Sequence, residues 1–344
     1  MSAAPRERPL LRAGDLSKHY HVGRSIFPAQ RRTVQAVDTV SLDIWPGETL
    51  GIVGESGCGK STLGRCLVRL TDITSGSLEF EGRDITDASQ RQLRPLRRQM
   101  QMVFQDPSAS LNPRRRVGDL LADPFRIHER LSASEMADRV AELLRRVELS
   151  PEHASRYPHE FSGGQRQRIG IARALALRPR LIVADEPVSA LDVSIQAQIV
   201  NLLADLREEF NLTYVFIAHD LSVVRQISTR VAVMYLGSVV ESGPTDLVFA
   251  APRHHYTAAL RSAVPIPSID TAALRSAVPI PSIDRARRER LVLKGDLPSP
   301  MNPPSGCRFH TRCPAATSTC RNERPLLQST GDGRLVACHH PGGG

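Results

Sequence analysis

Hydrophobic and polar positions divide this 344-residue chain into short apolar runs and longer amphipathic segments. Short apolar runs, of the length of buried strands, occur at Thr49–Val53, Leu181–Glu186 and Thr213–Ala218. Segments with apolar residues every three or four positions separate them, and the clearest of these runs from Ala133 to Leu149. Strands that alternate with helices predict an α/β fold with a parallel sheet.

Other short segments alternate apolar and polar residues, which is typical of half-buried strands. Residues 11–46 show this pattern, for example in Val37–Ile44, which ends at the turn Pro46–Gly47. Residues 113–160 have no strand signal and predict a helical insertion. The remaining predicted strands are Gly76–Gly82, Met100–Gln105 and the two arms of a hairpin that completes the sheet around Gly237, Val231–Tyr235 and Ser238–Glu241.

A glycine-rich loop lies between the predicted strand Thr49–Val53 and a predicted helix at Ser61–Leu70. It fits G-x-x-x-x-G-K-S/T, in which backbone N–H groups and a helix N-terminus surround a phosphate chain. Lys60 is expected to contact the β- and γ-phosphates, and Ser61 to hold Mg²⁺. The predicted nucleotide-binding residues here are Gly54, Glu55, Ser56, Gly57, Cys58, Gly59, Lys60, Ser61 and Thr62.

Polar side chains follow three other predicted strands, at the edge where α/β sheets place their chemistry. We expect Asp185 to hold Mg²⁺ and Glu186 to orient or deprotonate the attacking water. His219 is either a structural histidine or a hydrogen-bond donor to the γ-phosphate. Gln105 is either a strand cap or a group that reaches the metal or the water.

A second anion-binding helix N-terminus is predicted at Phe161–Gln165, before a helix through Arg166–Leu177. One nucleotide bound by one loop does not need two such sites. The simplest use of Ser162, Gly163, Gly164 and Gln165 is to face a nucleotide that another protein holds.

The net charge of +9 fits either an anionic partner or a solvated basic surface. No apolar run approaches the length of a membrane span, and the first residues lack an apolar signal segment. We therefore expect a cytosolic chain whose membrane role, if it has one, needs a partner.

Six cysteines occur, and four of them lie in the last 38 residues. In a reducing compartment this clustering favours a metal over disulfides. The spacing lacks the tight C-x2–4-C pairs of zinc sites, so an iron–sulfur cluster fits as well as zinc or better, and unligated thiols are the third interpretation. The residues are Cys307, Cys313, Cys320 and Cys338, with His339 and His340 as substitute ligands.

A perfect tandem repeat precedes this tail: Thr257–Asp270 recurs as Thr271–Asp284. Fourteen residues are too few for a solenoid unit, so the repeat indicates a recent duplication or a sequence artefact. Its Pro-Ile-Pro core favours extended linker structure. The basic run Arg285–Arg290 is either a solvated charge run or a contact to anionic lipid.

Taken together, these motifs resemble the ATP-binding subunits of ATP-binding cassette (ABC) transporters. The resemblance covers roughly residues 10–260. It implies a RecA-like core with an antiparallel β subdomain and a helical subdomain, and two cassettes that sandwich two ATP molecules. The motifs are Walker A at Gly54–Ser61, the Q-loop at Gln105, the signature at Phe161–Gln165 (with Phe161 where the family usually has leucine), Walker B at Leu181–Glu186, the D-loop at Ser189–Asp192, the switch histidine His219 and, with less specificity, the adenine-stacking aromatic Tyr20.

A narrower resemblance is to the oligopeptide and dipeptide importer ATPases, especially their second (F-type) subunit. It rests on Phe104–Pro113, Arg156–Glu160, Pro187–Ser194, Leu297–Cys307 and Arg312–Pro314. It implies a sister ATPase, two membrane permeases, an extracytoplasmic solute-binding protein and a place on the cytoplasmic face of the bacterial inner membrane. Related subunits can carry a four-iron–four-sulfur cluster in this tail. Nickel and glutathione importers share the subgroup.

The expected parts of the chain combine this resemblance with the sequence patterns described above. They are a disordered leader (1–10), an ABC ATPase domain (11–256, helical subdomain 113–160), a linker (257–290) and a cysteine-containing extension (291–344). A DNA-repair or chromosome ATPase is the rival class. It is disfavoured because only 101 residues separate Lys60 from Ser162, without sustained heptads, and we expect no nucleic-acid partner. A non-hydrolysing cassette is disfavoured by Glu186 and His219.

Overall fold

Two β-sheets organise the chain in this computed structural model, which describes residues 8–22, 32–263 and 295–342. One sheet has four strands and the other has eight. In chain order the strands are β1 Leu11–Val22, β2 Arg32–Ile44, β3 Thr49–Val53, β4 Ser75–Phe80, β5 Arg83–Asp84, β6 Met100–Val103, β7 Leu181–Asp185, β8 Thr213–Ile217, β9 Arg230–Tyr235, β10 Ser238–Pro244, β11 Gln328–Ser329 and β12 Leu335–Val336.

The helices fill the connections between these strands. They are α1 Lys60–Leu67, α2 Gln90–Leu96, α3 Pro107–Ser110, α4 Val117–His128, α5 Ala133–Arg146, α6 Gly163–Leu175, α7 Val193–Phe210, α8 Leu221–Ile227, α9 Thr245–Ala250, α10 His255–Ala263 and α11 Ser318–Asn322. Within the described ranges, none of them combines the length and the apolar character that crossing a bilayer requires.

The larger sheet has the order β11-β12-β10-β9-β3-β8-β7-β6, and its strands from β9 to β6 are parallel. All residues of β3, β7 and β8 are buried, as expected for central strands covered on both faces. In the register, Ile52 lies opposite Ile217, and Ala184 lies opposite Phe216. The predicted α/β fold with a parallel sheet is therefore confirmed.

The four-stranded sheet is antiparallel, with the order β2-β1-β4-β5. Leu11 pairs with Ile44 at one end of β1, and Tyr20 pairs with Val34 near the other. The inner side chains of this sheet, such as Leu16 and Val40, share one hydrophobic cluster with the phosphate-loop strand and its helix. This packing fixes the antiparallel sheet against the start of the nucleotide site.

The predicted hairpin β9–β10 does not complete the larger sheet, which corrects the expectation from sequence. β12 pairs antiparallel with β10, placing Val336 opposite Glu241, and β11 pairs with β12. Both added strands are only two residues long and come from the cysteine-containing tail. Strands this short carry too little periodicity to be recognised in a sequence.

Helices occupy the region between β6 and β7, as the sequence indicated. Ser132 begins α5 with a capping box to Glu135. The helix ends at Arg146, three residues before the predicted end at Leu149, because Glu148 adopts a positive φ of 59°. Two short 3-10 helices, Pro151–Ser155 and Pro158–Glu160, lead to the next helix.

Helix α10 contains the first residues of the tandem repeat, where an extended linker was expected. Tyr256, Thr257 and Ala259 are buried in it, which explains why this end of the repeat is helical. The Pro-Ile-Pro core, the second copy Thr271–Asp284, the basic run 285–290 and most of the expected leader lie outside the described residues.

The described part of the tail shares the core of the rest of the chain. Phe309 is almost fully buried and belongs to the hydrophobic cluster that also contains Tyr235 and Tyr256. Its ring centroid lies 5.2 Å from that of Tyr235 and 5.5 Å from that of Tyr256. Such tilted and edge-on contacts add to the energy of area burial. Phe309 is therefore an apolar anchor of the tail.

We predict that Phe309→Ala lowers the free energy of unfolding by about 3 kcal/mol, because it leaves a cavity among buried rings. Urea unfolding measures this loss, and limited proteolysis shows whether the tail becomes accessible first. Leu326→Ala is the control: this tail leucine is 71% exposed, and the change should stay within about 0.5 kcal/mol. Equal losses in the two variants would contradict the anchoring role.

Candidate functional site

The parallel strands bring four of the predicted site segments to one edge of the sheet. The phosphate loop follows β3, Asp185 ends β7 with Glu186 after it, Gln105 follows β6, and His219 follows β8. These strands are contiguous in the sheet order, so their carboxyl ends lie side by side. The contacts below join all four segments.

The phosphate loop packs closely against the backbone of two neighbouring segments. Gly59, with φ of 103°, precedes helix α1, and a Cβ there would lie 2.0 Å from the carbonyl oxygen of Ala36. Gly57 also has a positive φ, of 78°, but a Cβ there would have no heavy atom within 4 Å. Glycine is thus required at Gly59 by both conformation and space, and at Gly57 by conformation alone.

Lys60 is buried and turned onto the loop that precedes it. Its Nζ donates to the carbonyl oxygens of Gly54 at 2.8 Å and Glu55 at 3.1 Å. It also lies 4.0 Å from Oε1 of Glu186. The ammonium group is therefore placed between the loop carbonyls and the carboxylate that follows β7.

Ser61 and Asp185 form the second contact between the loop and β7. The Ser61 hydroxyl donates to Oδ1 of Asp185 at 2.7 Å. Burial raises the pKa of the Asp185 carboxyl in spite of this hydrogen bond. A hydroxyl and a carboxylate are oxygen ligands of the kind that Mg²⁺ prefers, and the bound ion would favour the ionised carboxylate. The two residues fit a magnesium site.

The Glu186 carboxylate lies near Lys60, as described above, and near two further polar groups. Gln105 donates from Nε2 to Oε2 of Glu186 at 2.8 Å, and Nδ1 of His219 lies 3.8 Å from the same oxygen. Glu186 itself has a positive φ of 46°, an unusual conformation for a residue with a side chain. Its N–H donates to the carbonyl of Ile217 at 2.9 Å, which holds that conformation.

The structure places Gln105 on Glu186, whereas the sequence left it between a strand cap and a metal or water contact. Among the described residues, Gln105 has no hydrogen bond to Ser61 or Asp185, the two residues that fit a magnesium site. Gln105 therefore positions the carboxylate in this arrangement.

The motif at Ser162 is the start of helix α6. The Ser162 hydroxyl accepts from the N–H of Gln165, and the Gln165 side chain accepts from the N–H of Ser162. The helix begins at Gly163, earlier than predicted, because this capping box closes its first turn. Across the described residues, no hydrogen bond joins this motif to the phosphate loop. Ser162 and Gly163 are exposed.

Tyr20 lies on the surface end of β1. Its ring is 39% exposed, and Nζ of Lys18 lies 4.9 Å from the ring centroid. A solvent-facing ring of this kind is available for stacking.

Two contacts that no sequence pattern indicates hold the phosphate loop from outside. The Arg312 guanidinium donates to both carboxylate oxygens of Glu55, at 2.7 and 3.1 Å. The N–H of Glu55 donates to the Tyr256 hydroxyl at 2.8 Å. These residues are separated by 257 and 201 positions, and no local pattern links residues so far apart.

The four tail cysteines line a single cavity together with His310, His339 and His340. All four are free thiols, and burial raises the pKa of Cys307 and Cys313 and raises that of Cys338 to about 11. No group of three or more histidine, cysteine or acidic side chains in the described part of the chain has the arrangement of a metal site. The four cysteines therefore share one cavity, but their side chains are not gathered there as the ligands of an iron–sulfur cluster or of zinc.

Comparison with known proteins agrees with these motifs. The family model described as ABC transporter matches residues 37–189. The model described as oligopeptide/dipeptide transporter, C-terminal region, matches residues 240–279 and 271–320. The two ranges matched by this second model overlap from residue 271, where the second copy of the tandem repeat begins.

Several curated proteins are similar along almost the whole chain. The oligopeptide transport ATP-binding protein AppF of Bacillus subtilis is 52% identical, over 98% of this chain and 99% of its own length. The di/tripeptide transport ATP-binding protein DppF of Pseudomonas aeruginosa is 50% identical, over 96% and 97%. Among solved structures, a dimer of the ATP-binding cassette MJ0796 bound to ADP and Pi has a TM-score of 0.62 and 31% identity, over 68% of this chain and 98% of that one.

Two alanine substitutions test the geometry of the phosphate loop. Gly57→Ala should cost about 1 kcal/mol of unfolding free energy, from its positive φ alone. Gly59→Ala should cost at least about 2 kcal/mol more, because its methyl group would overlap the Ala36 carbonyl. Chemical unfolding without nucleotide measures both costs. Equal costs would show that the close approach at Gly59 is absent.

Proposed function

The chain belongs to the ATP-binding subunits of ABC transporters and hydrolyses ATP, and we propose that this hydrolysis drives the import of peptides. The observation that carries the proposal is the likeness, along nearly the whole chain, to ATP-binding proteins named for oligopeptide and di/tripeptide transport. The match to the C-terminal region of such transporters supports it independently of the cassette.

The phosphate loop and the end of β7 are the proposed nucleotide and Mg²⁺ site. Lys60 and the loop N–H groups bind the β- and γ-phosphates, while Ser61 and Asp185 hold the ion. When bound, Mg²⁺ neutralises charge on the phosphate oxygens. Tyr20 is the proposed stacking partner of the adenine, which its exposed ring supports.

Glu186 is the proposed catalytic base. Its carboxylate is only slightly exposed and is held by Gln105 on one side, with His219 close to the same oxygen. A carboxylate fixed beside the phosphate loop can accept a proton from an attacking water. In this proposal Gln105 orients the carboxylate, and His219 donates a hydrogen bond to the γ-phosphate.

The exposed start of helix α6 supports a second part of the proposal, a sister ATPase. Ser162, Gly163, Gly164 and Gln165 would face the ATP that the sister subunit holds, and the phosphate loop here would face the sister's equivalent helix. A helix N-terminus favours an anion through its N–H groups and its dipole. Each ATP would thus lie between two chains.

The remaining partners in the proposal are two membrane permeases and an extracytoplasmic solute-binding protein. The subunit would lie at the cytoplasmic face of the bacterial inner membrane, bound to the permeases, and would contact no nucleic acid. Nickel and glutathione are the alternative solutes, and a DNA-repair or chromosome ATPase is the alternative class.

The cysteine cavity is the proposed site of a four-iron–four-sulfur cluster, with zinc and free thiols as the alternatives. The presence of all four cysteines around one cavity supports it. Four thiolates are the usual ligands of such clusters. Ligation would require the thiols to lose their protons and to approach one another more closely than they do here.

Uptake by the transporter reconstituted in lipid vesicles tests the function. With ATP on the side of this subunit, labelled di- and oligopeptides should accumulate, and nickel and glutathione should not compete. With Glu186→Gln, uptake and ATP hydrolysis should fall at least about 100-fold while ATP binding remains, because the amide cannot accept a proton.

Lys60→Ala is the matched control, since it should weaken ATP binding itself. Turnover of Glu186→Gln within a fewfold of the unchanged chain would reject Glu186 as the base. Competition by nickel or glutathione would identify that solute as the substrate in place of peptides. ATPase activity stimulated by DNA instead of by the permeases would overturn the transporter role.

Metal analysis after anaerobic purification tests the cysteine cavity. A cluster should give brown protein that absorbs near about 400 nm and contains about four irons per chain. Colourless protein with one bound zinc would decide for the alternative ion. Fully folded protein without iron or zinc would reject both metals.

A further inference from the structure

Glu55, the second residue of the phosphate loop, is held by three groups at once. Its side chain accepts two hydrogen bonds from Arg312, its N–H donates to the Tyr256 hydroxyl, and its carbonyl accepts from Lys60. The N–H of Cys58 adds a further bond to the same carbonyl at 3.2 Å. The position of this one residue therefore affects the whole loop, including the lysine.

Arg312 reaches Glu55 from the C-terminal extension. Its side chain is only 7% exposed and packs near the Tyr235 ring, with the guanidinium carbon 6.0 Å from the centroid. A two-bond arginine–carboxylate pair with little exposure is stronger and more directional than a surface ion pair. Phe309, three residues earlier, is buried beside Tyr235, so the backbone that carries Arg312 is itself fixed.

Arg308 makes a second connection from the same segment to the same loop. Its guanidinium donates to the carbonyl of Leu236 and, at 2.5 Å, to the carboxylate of Asp38. The next residue, Gly237, donates its N–H to the carbonyl of Cys58 in the phosphate loop at 2.8 Å. The segment between Cys307 and Cys313 thus supports the loop at both of its sides.

The charge of Arg312 matters because of where Glu55 lies. A carboxylate in the loop that binds a polyphosphate repels that ligand unless a cation neutralises it. Arg308 and Arg324 already attach the extension to Asp38, at 2.5 and 2.6 Å. Attachment alone therefore does not require an arginine on Glu55, whereas neutralising Glu55 does.

We propose that Arg312 is a positioning residue for ATP binding: it neutralises Glu55 and holds the phosphate loop in its binding conformation. The C-terminal extension thereby sets the nucleotide affinity of the cassette. Arg312 does not touch the reacting atoms in this role, so its effect falls on KM and on ATP affinity and leaves kcat nearly unchanged.

ATPase kinetics of the assembled transporter test the proposal. Arg312→Ala should raise the KM for ATP about tenfold, the scale of a lost hydrogen-bonded charge pair, with kcat within about twofold. Adding Glu55→Gln should return KM to within about threefold of the unchanged chain, since the unpaired charge is gone. Arg312→Lys, which keeps the charge and loses the two-bond geometry, should give an intermediate KM.

Arg324→Ala is the matched control, because this arginine of the extension pairs with Asp38 and has no hydrogen bond to the phosphate loop in the described residues. Its KM should not change. Direct ATP binding to the full-length chain should show the same order of affinities. If Arg312→Ala does not fold, Arg312→Lys decides instead: its KM should rise, because the two-bond geometry on Glu55 is lost.

Three results would overturn the proposal. One is an unchanged KM in Arg312→Ala, and another is an equal rise in Arg324→Ala. The third is a double variant with a KM no lower than that of Arg312→Ala, which would show that the charge on Glu55 is irrelevant. Where Arg312→Lys replaces Arg312→Ala in the test, an unchanged KM would count as the first of these results.

Discussion

The parallel pairing of β3, β8 and β7 is the constraint on which the candidate site depends. Backbone hydrogen bonds fix the register of these buried strands, and each strand then ends at the same edge. A one-residue slip would turn every side chain to the opposite face. In β8 it would move Tyr214 and Phe216 out of one hydrophobic cluster and Ile217 out of the other. The 2.7 Å bond from Ser61 to Asp185 exists because two strands stop level with each other.

Charge at this edge is balanced by contacts from other parts of the chain. Two carboxylates, Asp185 and Glu186, lie beside a loop whose own charges are Glu55 and Lys60. Lys60 lies 4.0 Å from Glu186, and Arg312 pairs with Glu55. Anionic groups near a phosphate site would otherwise weaken the binding of an anion. Each carboxylate therefore has a partner cation or a hydrogen-bond donor.

Much of the fold and the composition of the site could be predicted from sequence, because local patterns carry both. The apolar runs that become β3, β7 and β8 end where predicted to within a residue or two, and the glycine loop has its helix after it. Motif spacing placed Ser61, Asp185 and Glu186 in one site. Their mutual contacts follow from sheet order alone.

The features that could not be predicted from the sequence are a local backbone conformation and contacts between distant residues. Helix α5 ends early because Glu148 adopts a positive φ, and a glutamate in a sequence does not indicate that conformation. The pairs Glu55–Arg312 and Asp38–Arg308 join positions more than 250 residues apart, and their residue types are ordinary surface charges until the fold buries them. Burial turns such charges from solvated groups into specific contacts.

The extension also covers the sheet edge that the predicted hairpin would have left exposed. Had the sheet ended at β10, that strand would present unpaired N–H and C=O groups to other chains. β12 pairs with Glu241 and Ser242 of β10, and the N–H of Ala337 donates to Val240 at 2.9 Å. The covered edge and the phosphate loop are then connected through one segment, since the residues that follow β10 lead to Tyr256, which meets both Phe309 and Glu55. A tail that closes the sheet is thereby placed in contact with the nucleotide site, although it begins far from that site in sequence.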